Sequence, residues 1–327
     1  MPAQLHRCPN TGNTGIPSGV GLFVRALVYA PDAPANLRFD EVAEPSPTES
    51  QALIDVHAIA LNFGELHFID QMRRPGEVPG WDSAGVVVRA AADGSGPQVG
   101  ARVVGFGGEA GWAERRVVST DNMAELPEFV EFEDAAALPV AGVTALQALR
   151  ALGPVVGRRV LVTGASGGVG RFAVQLAARA GAHVVAAVGS APRGEGLAEL
   201  GAAEVVVGLD AVTEPVFGVL DNVGGKLLAQ AFSLVSDGGS VQSIGMASNE
   251  PTTINFEAER RTGTRKRLEP FTVRAPFRAD LDYLLTLLAD CEIDAQIGLR
   301  DSWENIADAA QALLGRTVAG KAVLRVV

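Results

Sequence analysis

The clearest chemistry lies in a run of glycines. In RRVLVTGASGGVGRFAVQLA an apolar, strand-like run enters Gly164, Gly167, Gly168 and Gly170 and passes, through Val169, straight into a helical pattern. Glycine permits a tight turn there and lets backbone N–H groups approach a pyrophosphate at the positive end of a helix. The match to GxGxxG is imperfect, because Ala165 stands where the first glycine belongs. Placement between a strand and a helix is what points to a dinucleotide and away from an ordinary glycine turn. A strand that grips a free ribose 2′-hydroxyl ends on Asp or Glu. Here AHVVAAVGSAPRGE ends on Gly189 and Ser190 and reaches Arg193 with no acid before Glu195. Ser190 and Arg193 suit a 2′-phosphate through charge-assisted hydrogen bonds, so the expected cofactor is NADP(H). A solvated surface role for Arg193 competes, and the absent acid weighs against it.

A second cluster is LNFGELH, residues 61–67, at the end of the alternating run ALIDVHAIA. Asn62 and Glu65 have the Asn-x-x-Glu spacing of a helix cap with its reciprocal partner, which makes Glu65 structural. Asn62 is a candidate both to cap and to touch nicotinamide or substrate. His67 is a hydrogen-bond donor and a proton source near neutral pH, and equally a half-exposed structural histidine. His6, His57 and His183 have no acid or thiol at ligand spacing and are read as structural.

Those loops need a frame. With 327 residues, 47% of them hydrophobic, the chain exceeds one small core, and two domains are expected. A formal charge of −11 argues against nucleic acid or anionic membrane as a partner, and no apolar run approaches a membrane span. Only Cys8 and Cys291 are present, which leaves neither a disulfide framework nor a four-thiolate zinc lobe and fits a reducing, cytoplasmic setting. Residues 1–22 are rich in Pro, Gly, Asn and Thr and lack a signal core, so a disordered extension is expected. Residues 23–130 show short strands broken by Pro and Gly, such as VRALVYA, AGVVVRAA and ARVVGFGG. Residues 131–262 alternate helix and strand: EDAAALPVAGVTALQALRAL is helical, and RRVLVTG, HVVAAVG, VFGVLDNV and GSVQSIGM are strands. That alternation predicts a doubly wound parallel sheet with helices on both faces. Residues 263–327 return to a mixed pattern that closes on the strand GKAVLRV. The motif TGASGGVG also fits short-chain dehydrogenases. Their Tyr-x-x-x-Lys pair is impossible here, since Tyr29 and Tyr283 are followed four residues on by Ala33 and Leu287.

A β-rich domain interrupted by a mid-chain nucleotide fold resembles the medium-chain dehydrogenase/reductase superfamily. LNFGEL, PGWDSAGVV, AALPVAGVTALQAL, GASGGVG, LDNVGG, SIGMAS and GKAVL match its segments in the expected order. The resemblance implies an α/β chain with a β-rich GroES-like catalytic domain, 23–130 with 263–327, and a Rossmann domain, 131–262. Zinc-dependent members need Cys where Asn62 stands, His where Trp81 stands, and a further ligand near Val140. The resemblance is therefore to the zinc-independent quinone oxidoreductase and enoyl reductase branch, with no metal. It implies hydride transfer from NADPH to a quinone or an α,β-unsaturated carbonyl compound, in a homodimer. An enoyl-thioester reductase of fatty-acid or polyketide assembly is the alternative, as is a nucleotide-binding homologue with a non-redox role.

The resemblance also assigns residues. Thr144 falls beside the nicotinamide, although a helical Thr also bonds back to its own turn. Asn222 and Gly245 fall at the nucleotide edge, where a turn Asn and a turn Gly look the same. Arg316 points into the cleft in some relatives and is otherwise a surface Arg. Trp81 lines the substrate pocket or packs in the core, Asp82 is a structural hydrogen-bonding group, and His67 replaces a Tyr that faces the substrate. Gly64 replaces the usual Arg. The basic run Arg260, Arg261, Arg265, Lys266 and Arg267 either meets a substrate phosphate or is a locally paired surface.

Overall fold

The computed structural model describes residues 22–326; the predicted N-terminal extension, with His6 and Cys8, lies outside the described residues but for Leu22. Where strands are buried on both faces the sequence runs apolar almost without a break, as in Arg159–Thr163 and His183–Val188, and these lie inside a six-stranded parallel sheet. Its order is Glu204–Val207, His183–Val188, Arg159–Thr163, Val216–Asp221, Val235–Ser243 and Arg267–Pro270. Helices Pro139–Ala151 and Gly168–Arg179 pack together beside it. The second sheet is mixed and centres on the long strand Gln51–Leu61. That strand pairs antiparallel with Asp82–Arg89, Arg115–Ser119 and the closing strand Lys321–Arg325. Phe23–Tyr29 and Leu37–Ala43 form a separate antiparallel ribbon.

Three local outcomes depart from the sequence pattern. The helical run after Glu133 breaks into Phe132–Ala136 and Pro139–Ala151, because Pro139 can open a helix but cannot sit inside one. The first piece packs on Gln51–Leu61 and Asp82–Arg89 of the mixed sheet, so residues 132–136 side with the catalytic lobe. At the other end, Arg267–Pro270 adds to the parallel sheet beside Ser240–Ser243, so that sheet continues past the division placed between 262 and 263.

Each lobe has a buried apolar cluster of its own, and a third cluster spans the two. Ala58, Ala60, Ala84 and Val104 of the mixed sheet belong to the same buried cluster as Val160, Val162, Phe172 and Leu284. They are also joined by backbone at the glycine loop. Gly320 N donates to Ser166 O at 2.9 Å, and Gly320 bridges Gly167 in parallel fashion. The closing strand thus leads directly from the loop that the glycines build.

Candidate active site

Between the lobes runs a cleft of about 1040 Å³. Its far end is the glycine cradle. Gly164, at φ +59°, turns the chain out of Arg159–Thr163, and Gly167 precedes the helix Gly168–Arg179 without any side-chain cap. The first-turn N–H groups of that helix have no intrahelical acceptor, and Gly168, Val169 and Gly170 line the cleft. A Cβ on Gly170 would lie 2.3 Å from Gly164 O, so the helix approaches the loop as closely as backbone allows. A Cβ on Gly245 would lie 2.7 Å from Asn222 O, a second place where only glycine fits. Arg159–Thr163 and Val216–Asp221 are neighbours at the sheet's switch point, where ligands collect in such sheets. Asn222 ties their ends: its Nδ2 donates to Thr163 O at 2.9 Å and its backbone N donates to Thr163 Oγ1 at 3.1 Å. Asp221 accepts from Thr163 Oγ1 at 2.6 Å and from Gly224 N at 2.8 Å, and burial pushes its carboxyl above the ordinary range.

Charge sorts sharply along this cavity. Its lining includes Arg193, Arg316 and Lys321 and contains no Asp or Glu. In a protein of net charge −11 that is a local inversion suited to a polyanion. Arg193 Nε donates to Ser166 Oγ at 3.0 Å and its Nη1 to Arg316 O, beside Ser190. Arg316, held at φ +59°, donates across the cleft to Ala247 O. The glycine cradle, the open helix end and the two arginines fit a dinucleotide.

The end formed by Phe63, Phe68, Met72 and Trp81 is apolar and aromatic, and the Arg316 guanidinium reaches to 5.9 Å from the Phe63 ring centroid. Thr144 faces the cleft from Pro139–Ala151. Unlike Thr286, whose hydroxyl donates to Asp282 O at 2.9 Å, it shows no bond back to its own turn.

Under this end lies a buried polar network that the sequence pattern did not single out. Lys321 Nζ donates to Asn62 Oδ1 at 2.7 Å, to Leu61 O at 3.2 Å and to Asp82 Oδ2 at 3.3 Å, with the residue only 2% exposed. Asn62 Nδ2 donates to Asp82 Oδ2 at 3.0 Å and more weakly to Glu65 Oε2 at 3.4 Å. Asp82 Oδ1 accepts from Val140 N at 3.1 Å, which ties the catalytic lobe to the neighbouring helix. Burial pushes Asp82 upward while Lys321 and Asn62 pull it down. Burial and the Asp82 charge together push Glu65 to about 8. Arg116, also fully buried, donates to Trp81 O at 2.9 Å and to Ser83 Oγ at 3.0 Å, and burial lowers its guanidinium to about 10.

Two expectations change here. Asn62 stands at the helix N-cap position but makes no side-chain cap bond, because its oxygen is taken by the buried ammonium. His67 does not reach the cleft. Four residues after Phe63 on the same helix face, it stacks on that ring at 5.1 Å and meets Phe68 edge-on at 4.6 Å, so Phe63 and Phe68 form the wall and His67 sits outside it. All other predicted site residues line the one cavity: Asn62, Trp81, Thr144, Gly167, Gly168, Val169, Gly170, Ser190, Arg193, Asn222, Gly245 and Arg316. The run 260–267 does not. Arg260 pairs with Glu257, Lys266 with Glu259 and Arg267 with Glu269, as a locally neutralised surface does. Lys321 had one available signal, a lysine opening an otherwise apolar strand, and Arg116 the same in RRVVS.

Comparison with known proteins agrees with this layout. Residues 48–128 match the family described as alcohol dehydrogenase GroES-like domain, and residues 168–290 match the one described as zinc-binding dehydrogenase. A chloroplast envelope quinone oxidoreductase homolog from Arabidopsis thaliana is 30% identical over 318 residues, covering 89% of this chain and 94% of that protein. A chloroplastic quinone-oxidoreductase from Triphysaria versicolor is 36% identical over 190 residues, 52% of this chain; there the chain spans only 57% of the relative's length. The solved quinone oxidoreductase from Coxiella burnetii superposes with a TM-score of 0.81 at 26% identity, over 94% of this chain and all of that one (100%). No helix among the described residues is long and apolar enough to cross a membrane.

Proposed function

The chain belongs to the medium-chain dehydrogenase/reductase superfamily, in its zinc-independent quinone oxidoreductase branch, and from that premise we propose an NADPH-dependent reductase of quinones or α,β-unsaturated carbonyl compounds. The observation that carries this is the make-up of one cavity: a glycine cradle with Arg193 and Arg316 beside it and no carboxylate in the lining, together with the rings of Phe63, Phe68 and Trp81. When bound, NADPH supplies the hydride.

The chain's own residues do the rest. The N–H groups of Gly168, Val169 and Gly170 hold the pyrophosphate at a positive helix end. Ser190 and Arg193 hold the 2′-phosphate through charge-assisted bonds, which favours NADPH over NADH. Thr144 and Asn222, which line the same cavity, would help to position the nicotinamide. Phe63, Phe68, Met72 and Trp81 exclude water around the acceptor, so alignment of the two reactants counts for more. The committed ammonium of Lys321 adds positive potential at the cleft floor, favourable to the negative charge that grows on the acceptor oxygen. The proton follows from water at the cleft mouth. A homodimer and a cytoplasmic setting belong to the same proposal. The first is supported by the outer edge of Arg267–Pro270, unpaired among the described residues, and the second by the two-cysteine composition.

The test is oxidation of NADPH, followed by its near-ultraviolet absorbance, with a panel of quinones, simple enones and crotonyl thioesters. Acceptor-dependent oxidation, faster with NADPH than with NADH, is expected. Tight NADPH binding with no oxidation by any acceptor refutes the proposal.

A further inference from the structure

Gly64 is a glycine that neither the backbone nor the packing requires. It lies in the helix Phe63–His67 and is absent from the left-handed glycines, so its conformation suits any residue. A Cβ built on it meets only Trp81 Cη2, at 3.9 Å, which is ordinary van der Waals contact. The contrast with nearby Gly80 is plain: there a Cβ would fall 2.4 Å from Trp112 N, and glycine is forced. Glycine is also a poor helix former, about 1 kcal/mol below alanine in a helix interior, so in a five-residue helix it weakens the local structure. What a side chain at 64 would take up is cavity, for Gly64 and Trp81 both line the apolar end of the cleft.

We infer that Gly64 is a specificity-determining residue, and that the gap it leaves beside Trp81 admits a flat ring of the acceptor. The inference rests on the reductase proposal and narrows its substrate class to ring quinones. The backbone that carries Trp81 is anchored: Arg116 donates to its carbonyl at 2.9 Å and to the Ser83 hydroxyl, two residues on, at 3.0 Å. Flat rings stack on or against such an indole with offset or edge-on geometry, worth about 1 kcal/mol beyond their area. A linear acyl chain needs no such width. The basic run 260–267, the sequence's candidate for meeting a carrier phosphate, is largely paired and does not line this cavity. The reaction balances with what is named: NADPH gives a hydride, water gives a proton, and the quinone leaves as hydroquinone beside NADP⁺.

The experiment compares wild type with Gly64→Leu and Gly64→Ala, using naphthoquinone, methyl vinyl ketone and crotonyl-coenzyme A as acceptors. In Gly64→Leu, kcat/KM for naphthoquinone falls about tenfold or more, while that for the small ketone and the Kd for NADPH stay within about twofold. Gly64→Ala, which favours the helix and guards against misfolding, shows the same selectivity in weaker form. An unchanged naphthoquinone value in Gly64→Leu, or an equal fall for both acceptors, overturns the inference. So does a wild type that reduces the ketone or the thioester but not the quinone, and in that case the reductase proposal stands. A wild type that oxidises NADPH with no acceptor defeats that proposal first, and the narrower one with it.

Discussion

The ammonium of Lys321 lies 2.7 Å from the side-chain oxygen of Asn62 and so joins the closing strand to the start of the first helix, beneath the cleft. Asp82 completes the junction, accepting from Lys321 at 3.3 Å and from Val140 N at 3.1 Å. Removing one member of a buried pair leaves an uncompensated charge, whereas removing both is far less damaging. Lys321→Met should therefore lower stability to urea by about 3 kcal/mol, and Lys321→Met with Asp82→Asn should recover about half of that loss. Equal losses in the single and double variants would falsify the pairing.

The same network makes stability depend on pH through Glu65. Its folded-state carboxyl is pushed up to about 8, above the ordinary range, by burial first and by the Asp82 charge second. A raised folded value means the native state holds the proton more tightly than the unfolded chain does. The contribution of Glu65 is therefore complete below the ordinary carboxylate range and declines as pH rises from there toward about 8. Glu65→Gln keeps an acceptor for Asn62 and cannot ionise. Subtracting its urea-midpoint profile from that of wild type isolates this group. Relative to the variant, wild type should lose stability steadily between mildly acidic pH and about 8 and then level off. A flat difference would show that Glu65 does not change charge on unfolding.

Much of this architecture is legible in the sequence, for local reasons. A strand, a glycine turn and a helix are contiguous, so the cradle at Gly164–Gly170 declares itself. The inner parallel strands Arg159–Thr163 and His183–Val188 read as apolar runs because both their faces are covered. What escaped depends on partners distant in the chain. Arg267–Pro270 is only RLEP, too short and too polar to announce a strand, and it gains its status by pairing with Ser240–Ser243. The signature Asn62/Glu65 predicts a capping box, but the acceptor it needs is taken by a lysine 259 residues away. The role of Lys321 shows only where Asn62, Leu61 and Asp82 surround it.

The proposed preference for NADPH over NADH rests on Arg193. It already sits beside Ser190 with its Nε on Ser166 at 3.0 Å, so its guanidinium is oriented before any ligand arrives. Arg193→Ala should raise the Kd for NADPH about tenfold, roughly 1.4 kcal/mol, and leave that for NADH nearly unchanged. Fluorescence titration with both cofactors measures this directly. Parallel weakening of both would reassign Arg193 to general support of the loop through Ser166 and Arg316.

Thr144 and His67 make a paired test of which side of the aromatic wall does chemistry. Thr144 lines the cavity and shows no bond to its own helix turn, whereas His67 is packed behind Phe63 and Phe68. Thr144→Val keeps the side chain's shape and removes the hydroxyl. It should lower kcat about tenfold with the Kd for NADPH within about twofold, since misplacement of a bound reactant slows the reaction more than it weakens binding. His67→Phe preserves the stack and should leave kcat within about twofold of wild type, because a group outside the cavity cannot deliver a proton to the acceptor. Stopped-flow measurement of NADPH oxidation separates the hydride step from product release in both variants. A large loss in His67→Phe with Thr144→Val unaffected would place the proton donor on the histidine and require the Phe63 ring to swing aside during turnover.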